Sequence, residues 1–170
     1  VVKKSMMHKV TFNEMVTVAE AKPWRFMLVG GVGAGKTTLI HALESKKTGH
    51  ARKTQMIDYS GWGIDTPGEF VEMGYLRRVL VSTSFDAQLL VAVQDATRAD
   101  SNFPPNYFLM FPQHTIGVLT KLDSPQANIE QATTLLRTAG VTGEMFLVSA
   151  LTGLGIPELR DYLMNQNNVS

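Results

Sequence analysis

The sequence predicts an α/β fold in three layers, built on a mostly parallel six-stranded sheet with one antiparallel hairpin strand. Two observations carry this. Strand-length apolar runs alternate with segments whose apolar residues recur at helical spacing, and a Ser60-Gly61 pair separates two short alternating stretches. The chain has 170 residues, 44% of them hydrophobic, which suits one compact domain able to bury its core without staples. Sixteen Lys plus Arg against fifteen Asp plus Glu leave a formal charge of +1, so bulk charge gives no reason to expect a nucleic acid or an anionic membrane as partner. Cysteine is absent, which excludes disulfides, thiolate zinc sites and cysteine nucleophiles. The longest apolar runs, 26–29 and 89–93, fall far short of the roughly 18 residues that span a bilayer. A soluble, cytoplasmic protein is expected. The start at Val1 reads as a trimmed terminus, and no charged stretch followed by an apolar core marks a secretory signal.

Residues 1–22 stand apart. They are Lys- and Met-rich, then place Phe12, Met15, Val16 and Ala19 at helical spacing and end at Pro23, which disfavours helix at Lys22. They read as an appendage, either an amphipathic helix docked elsewhere or a frayed or trimmed tail. A domain over 23–166 and a tail over 167–170 follow. The first strand is expected at 24–29, running straight into glycines, and Thr37, Thr38, Leu39, Ile40, Ala42 and Leu43 mark a helix ending before Gly49. Residues 55–59 and 62–65 form the hairpin, and buried strands recur at 88–94, 115–120 and 144–148. Helices are expected at 71–82, at 129–139 with Gly140 as the C-cap glycine, and at 157–164 with Pro at the start.

Four motifs carry chemistry. The first, Gly30-Gly31-Val32-Gly33-Ala34-Gly35-Lys36-Thr37, matches G-x-x-x-x-G-K-[ST] between a strand and a helix. Chance produces those constrained positions in about one chain of this length in a hundred. Glycines let the backbone curl so that successive N–H groups and the first helical turn converge on phosphate oxygens. Lys36 adds a charge on the β- and γ-phosphates, Thr37 offers its hydroxyl to Mg²⁺, and Thr38 stands where the α-phosphate is reached. The second is Asp65-Thr66-Pro67-Gly68, which puts a carboxylate at a strand end to hold Mg²⁺ through water and a Gly68 N–H to sense the γ-phosphate. Without the phosphate loop, Asp65 would read as a turn former. The third is Thr120-Lys121-Leu122-Asp123. A carboxylate there accepts from N1–H and the exocyclic amine of guanine, and adenine lacks that donor pair, so GTP or GDP is the expected ligand. The Lys121 stem would lie along the base. The fourth, Ser149-Ala150-Leu151, follows the last strand, where a backbone N–H could reach guanine O6.

In this order the motifs resemble those of small P-loop GTPases over about residues 23–166. More narrowly, Ala51-Arg52-Lys53-Thr54-Gln55, Asp65-Thr66-Pro67-Gly68-Glu69-Phe70, Val93-Gln94-Asp95-Ala96 and Phe103-Pro104-Pro105 are similar to the EutP/PduV family of ethanolamine- and propanediol-utilisation proteins. The resemblance implies a Ras-like G domain that binds GTP or GDP with Mg²⁺ and is associated with a bacterial microcompartment, with a shell protein or enzyme as partner. It implies Thr54 as the residue that closes over Mg²⁺ and the γ-phosphate, Thr48 being a poorer fit because it lies nearer the preceding helix. It also brings in acetate kinase activity, assigned to some ethanolamine-utilisation members.

Two departures from the GTPase pattern bear on rate. Glu69 follows Gly68, where many GTPases place a water-orienting glutamine; a carboxylate can take a proton from that water but repels the γ-phosphate, so slow hydrolysis is expected. Val32 stands where many relatives carry glycine and would crowd an arginine inserted by a partner, leaving Arg52, Arg77 or Arg78 of the same chain. Elsewhere the readings are plain. His8, His41, His50 and His114 have no mutual ligand spacing, the methionines fill core, and Arg77-Arg78 is a solvated helix face. The aromatic segment 102–111 packs on its own domain or presents an apolar partner surface. Three functions compete: a slow GTPase that signals by ordering residues 46–60 and 66–75, an acetate kinase, and an adaptor whose nucleotide is structural.

Overall fold

The computed structural model describes residues 23–44 and 56–169. The readings made for residues 1–22 and for Thr48, His50, Arg52 and Thr54 lie outside them. One sheet runs in the order β2-β3-β1-β4-β5-β6, with β1 at Phe26–Gly30, β2 at Asp58–Ser60, β3 at Gly63–Asp65, β4 at Leu89–Asp95, β5 at His114–Thr120 and β6 at Met145–Leu147. Every pairing is parallel except that of β2 with β3. Gly61 turns that hairpin at φ 56, a conformation that suits a residue without a Cβ.

Among the described residues, five helices accompany the sheet: α1 at Lys36–Leu43, α2 at Glu69–Glu72, α3 at Arg77–Ser84, α4 at Ile129–Thr138 and α5 at Ile156–Val169. The two-residue period of a strand divides the core between two faces. Phe26 and Leu28 of β1 join Leu39, Ile40 and Leu43 of α1 and Leu159 and Leu163 of α5. Met27 and Val29 face the other way, onto Leu80 of α3 and Leu136 of α4. Arg160 of α5 ties two helices together by donating to the carbonyls of Leu43 and Ala42 at the end of α1, 2.9 and 2.8 Å away. Among the described residues, no helix is long and apolar enough to cross a membrane.

Three local readings change, those of the helix at 71–82, of the closing helix and of Arg77, and the aromatic segment takes one of its two expected places. The helix expected over 71–82 is broken: Met73 is extended at φ −95, ψ 104, and a 3₁₀ turn at Gly74–Leu76 leads into α3. Glycine lowers helix stability at that point. The closing helix reaches Val169 instead of stopping at Met164, its last turns carrying polar residues that no apolar spacing could reveal. The aromatic segment packs into its own domain, with Phe103, Tyr107, Phe108 and Phe111 buried and ring centroids 4.8 to 6.0 Å apart. Burial pushes the Tyr107 hydroxyl up to about 12, against the opposing charge of Arg77. Arg77 lies 5.6 Å from the Tyr107 ring centroid, so it is engaged with this cluster and is not simply a solvated face; Arg78 is exposed.

Candidate functional site

The C-terminal ends of the parallel strands meet at one rim, where open α/β sheets bind their ligands. β1 ends at Gly30 and the chain curls through Gly33 and Gly35, at φ 74 and 93, into α1. A side chain in this left-handed region costs about 1 kcal/mol, which is the physical reason for glycine at both places. Gly35 is the N-cap of α1 and supplies no side-chain cap, so the first helical turn presents its amides to an anion. Lys36 is 6% exposed, and its ammonium donates to the carbonyls of Gly30 and Gly31 at 2.9 and 3.0 Å. An ammonium has three donors, so one is left for a ligand. Burial holds the Lys36 pKa below the ordinary lysine value, while the carboxylates of Asp65, Glu69 and Glu72 pull it upward.

Thr37 and Asp65 meet as the sequence anticipates. The Thr37 hydroxyl donates to Asp65 Oδ2 at 2.6 Å, and Asp65 is 3% exposed. The neighbouring Thr66 donates to the Leu28 carbonyl at 2.6 Å, which pins the end of β3 beside β1. Hydroxyl and carboxylate are hard oxygen donors of the kind Mg²⁺ takes. Among the described residues, no group of three or more His, Cys, Asp or Glu gathers as a metal site. A hydroxyl and one carboxylate would supply part of an oxygen shell for such an ion.

Gly68 lies against the phosphate loop. A Cβ there would run into the Val32 amide nitrogen and the Gly31 carbonyl carbon, both backbone atoms unable to swing aside. Gly68→Ala is expected to cost about 1–3 kcal/mol, as overpacking does, and to lower the thermal midpoint by several degrees. An unchanged midpoint would show that the contact is loose. Sequence reasoning missed the partner of Val32. Its N–H donates to Glu72 Oε1 at 3.1 Å, and the same oxygen accepts from Asn102 Nδ2 at 3.1 Å. The available signal was that Glu72 follows Glu69 by three residues, one helical turn further along the same face. Nothing local marked Asn102.

Beside the loop, a cavity of about 360 Å³ gathers further predicted residues, though not Ser149 or Glu69. Gly35, Thr38, Thr120, Lys121, Asp123, Ala150 and Leu151 line it, joined by Thr97, Ser124 and Gln126. Thr120 braces the wall: its hydroxyl lies 2.7 Å from the Ala34 carbonyl of the phosphate loop and 3.3 Å from that of Gln94. Ser149, fully buried, donates to Asp123 Oδ1 at 2.6 Å and so orients the carboxylate. The Ser149 N–H is committed to the Leu154 carbonyl at 2.9 Å. Lys121 sits at φ 61, in the left-handed region, and its ammonium pairs with Asp95 Oδ2 at 2.6 Å. His41 and His114 lie apart from this rim, and His114 pairs with Glu144 at 3.6 Å.

A sheet with one inverted edge strand, a curled loop between β1 and α1, and a cavity walled by the ends of β5 and the loop after β6 define a Ras-like P-loop protein. The architecture matches the structure of Methanosarcina barkeri Roco2 RocCORdC bound to GDP with a TM-score of 0.60 and 19% identity, over 86% of this chain and 49% of that one. Residues 24–165 match the PduV-EutP family, described as ethanolamine utilisation - propanediol utilisation, and the chain belongs to that family. It is 35% identical over 141 residues to "Probable acetate kinase EutP" of Escherichia coli (strain K12), covering 82% of this chain and 88% of the relative. It is 32% identical over 181 residues to "GTPase Era" of Sinorhizobium medicae (strain WSM419), covering 90% of this chain and 57% of that relative.

Proposed function

We propose that the chain binds GDP and GTP in this cleft and hydrolyses GTP slowly, in the service of ethanolamine or propanediol use. One observation carries the reading: a phosphate loop and a carboxylate oriented by Ser149 border the same cavity, Gly35 belonging to both ends. The guanine edge would meet Asp123. An amide of Ala150 or Leu151 would reach O6, since that of Ser149 is taken. Lys36 and the amides of residues 33–37 would offset charge on the transferring phosphoryl group. Thr37 and Asp65 would hold Mg²⁺, which when bound neutralises β- and γ-phosphate charge; Thr54 is proposed to join them. Gly68, packed on Val32, would register a γ-phosphate, and Glu69, the first residue of α2, would handle the proton of the attacking water. Residues 46–60 and 66–75 would carry the signal. The unit extends over 23–166, with 1–22 appended, at or in a microcompartment.

The name of the Escherichia coli relative favours a second reading, transfer of the γ-phosphoryl group to acetate. That reading needs an acceptor pocket near Glu69, and the sequence marks no carboxylate-binding arginine pair there. Titration calorimetry with GDP, GTP, ADP and ATP, with and without Mg²⁺, is expected to show guanine preference; preference for adenine nucleotides would overturn the base assignment. Acetyl phosphate formed when acetate is present supports the kinase, and phosphate release without acetate supports the GTPase. Turnover equal to buffer, with GDP retained through purification, would make the protein an adaptor.

A further inference from the structure

We propose that Asp95, at the end of β4, is a positioning residue for the nucleotide base, acting through Lys121 and Thr97; this rests on the guanine-nucleotide reading above. The Asp95 side chain is 6% exposed, yet each of its oxygens is bound to a different wall of the cavity. Oδ2 takes the Lys121 ammonium at 2.6 Å. Oδ1 accepts from the Thr97 N–H at 2.9 Å and from the Thr97 hydroxyl at 2.7 Å. Lys121 and Thr97 line the cavity and Asp95 does not, so one buried charge holds two ligand-facing residues from behind. Burial on its own would raise the Asp95 pKa, but the bonds from Lys121 and Thr97 hold it below the ordinary aspartate value, so the anion is present at neutral pH.

The Lys121 backbone supports the assignment. At φ 61 it occupies a conformation that side-chain-bearing residues avoid, and such outliers persist where the surroundings over-determine them. The Asp95 carboxylate is the anchor at the tip of that side chain, while the Ala96 N–H, one residue on, donates to the Thr120 carbonyl at 3.1 Å, directly before Lys121. With its tip fixed, the lysine stem is pre-ordered along the cavity, and a base that stacks on it need not order four rotatable bonds. Without the anchor the ammonium swings to solvent and the wall is lost.

The test compares GDP with inorganic tripolyphosphate, which needs only the phosphate loop, by calorimetry on the full chain. Asp95→Asn keeps an oxygen for Thr97 but turns an amide or a neutral oxygen towards Lys121, and it is expected to weaken GDP about tenfold to a hundredfold while leaving tripolyphosphate unchanged. Lys121→Met, which keeps the stem and removes the charge, is expected to fall in the same range, and the double variant to be no worse than the weaker single. Unchanged GDP affinity in Asp95→Asn, or equal losses for GDP and tripolyphosphate, would overturn the proposal, the latter showing a merely structural role. Should Asp95→Asn fail to fold, Thr97→Val reads the same wall: GDP weakened several-fold with tripolyphosphate spared supports the proposal, and unchanged GDP sinks it. Wild-type protein that binds no GDP would refute the guanine reading itself, whereas wild-type GDP binding with undiminished variants refutes only the role of Asp95.

Discussion

Lys36→Ala is expected to abolish nucleotide binding. Lys36 is the positive side chain of the phosphate loop and is buried, which holds its pKa below the ordinary lysine value. In so dry a place, charge-assisted bonds to phosphate are worth about 1.5–3 kcal/mol each. Losing the bond that its one spare donor can make corresponds to about a tenfold to hundredfold loss of affinity, at about 1.4 kcal/mol per tenfold, and losing the positive charge beside the phosphates adds to it. The substitution also strips the Gly30 and Gly31 carbonyls of their donor. The variant should therefore melt earlier as well as bind worse, which calorimetry and a thermal scan read separately. GTP affinity equal to wild type would dismiss the phosphate assignment.

Asp123→Asn is expected to shift base choice from guanine to xanthine. The geometry makes this substitution clean: the asparagine Oδ1 can still accept from the Ser149 hydroxyl, now 2.6 Å from the carboxylate, leaving the amide nitrogen to face the cavity. Xanthine carries a carbonyl where guanine has its exocyclic amine, so the new N–H finds an acceptor and guanine meets a donor facing a donor. A buried mismatch of this kind costs about 1–3 kcal/mol per unpaired group. GDP should weaken by about a hundredfold or more while XDP gains. Competition between GDP and XDP measures the exchange, and an unchanged preference for GDP would remove Asp123 from the base site.

Much of this was legible in the chain, for identifiable reasons. Strands β1 and β4 are buried along their whole length, so Phe26 to Val29 and Leu89 to Val93 form continuous apolar runs that no surface element imitates. The phosphate loop was readable because its contacts are local: curl, lysine and helix start lie within eight residues. Thr37 and Asp65 lie 28 residues apart, and Asp123 and Ser149 26 apart, yet Asp65, Asp123 and Ser149 stand at or just past strand ends and Thr37 opens the helix after β1, so the strand pattern brings them to one rim. Glu72 and Asn102 were not readable. They meet Val32 and each other across 40 and 30 residues through surface segments whose path no periodicity sets. The aromatic segment stayed ambiguous because clustered rings look alike whether they serve a core or a partner. Its burial is decided by the 3₁₀ turn at Tyr107–Met110, entered through Asn106 in a left-handed conformation. Arg77 was misjudged for the same reason, since the ring it covers belongs to that turn.

The Thr120 hydroxyl, 2.7 Å from the Ala34 carbonyl across 86 residues of sequence, has a consequence for how the cleft handles its cargo. On the proposed reading, that one oxygen joins the half of the purse that would hold anions to the half that would hold a flat ring, so a tug on either would reach the other through a short link.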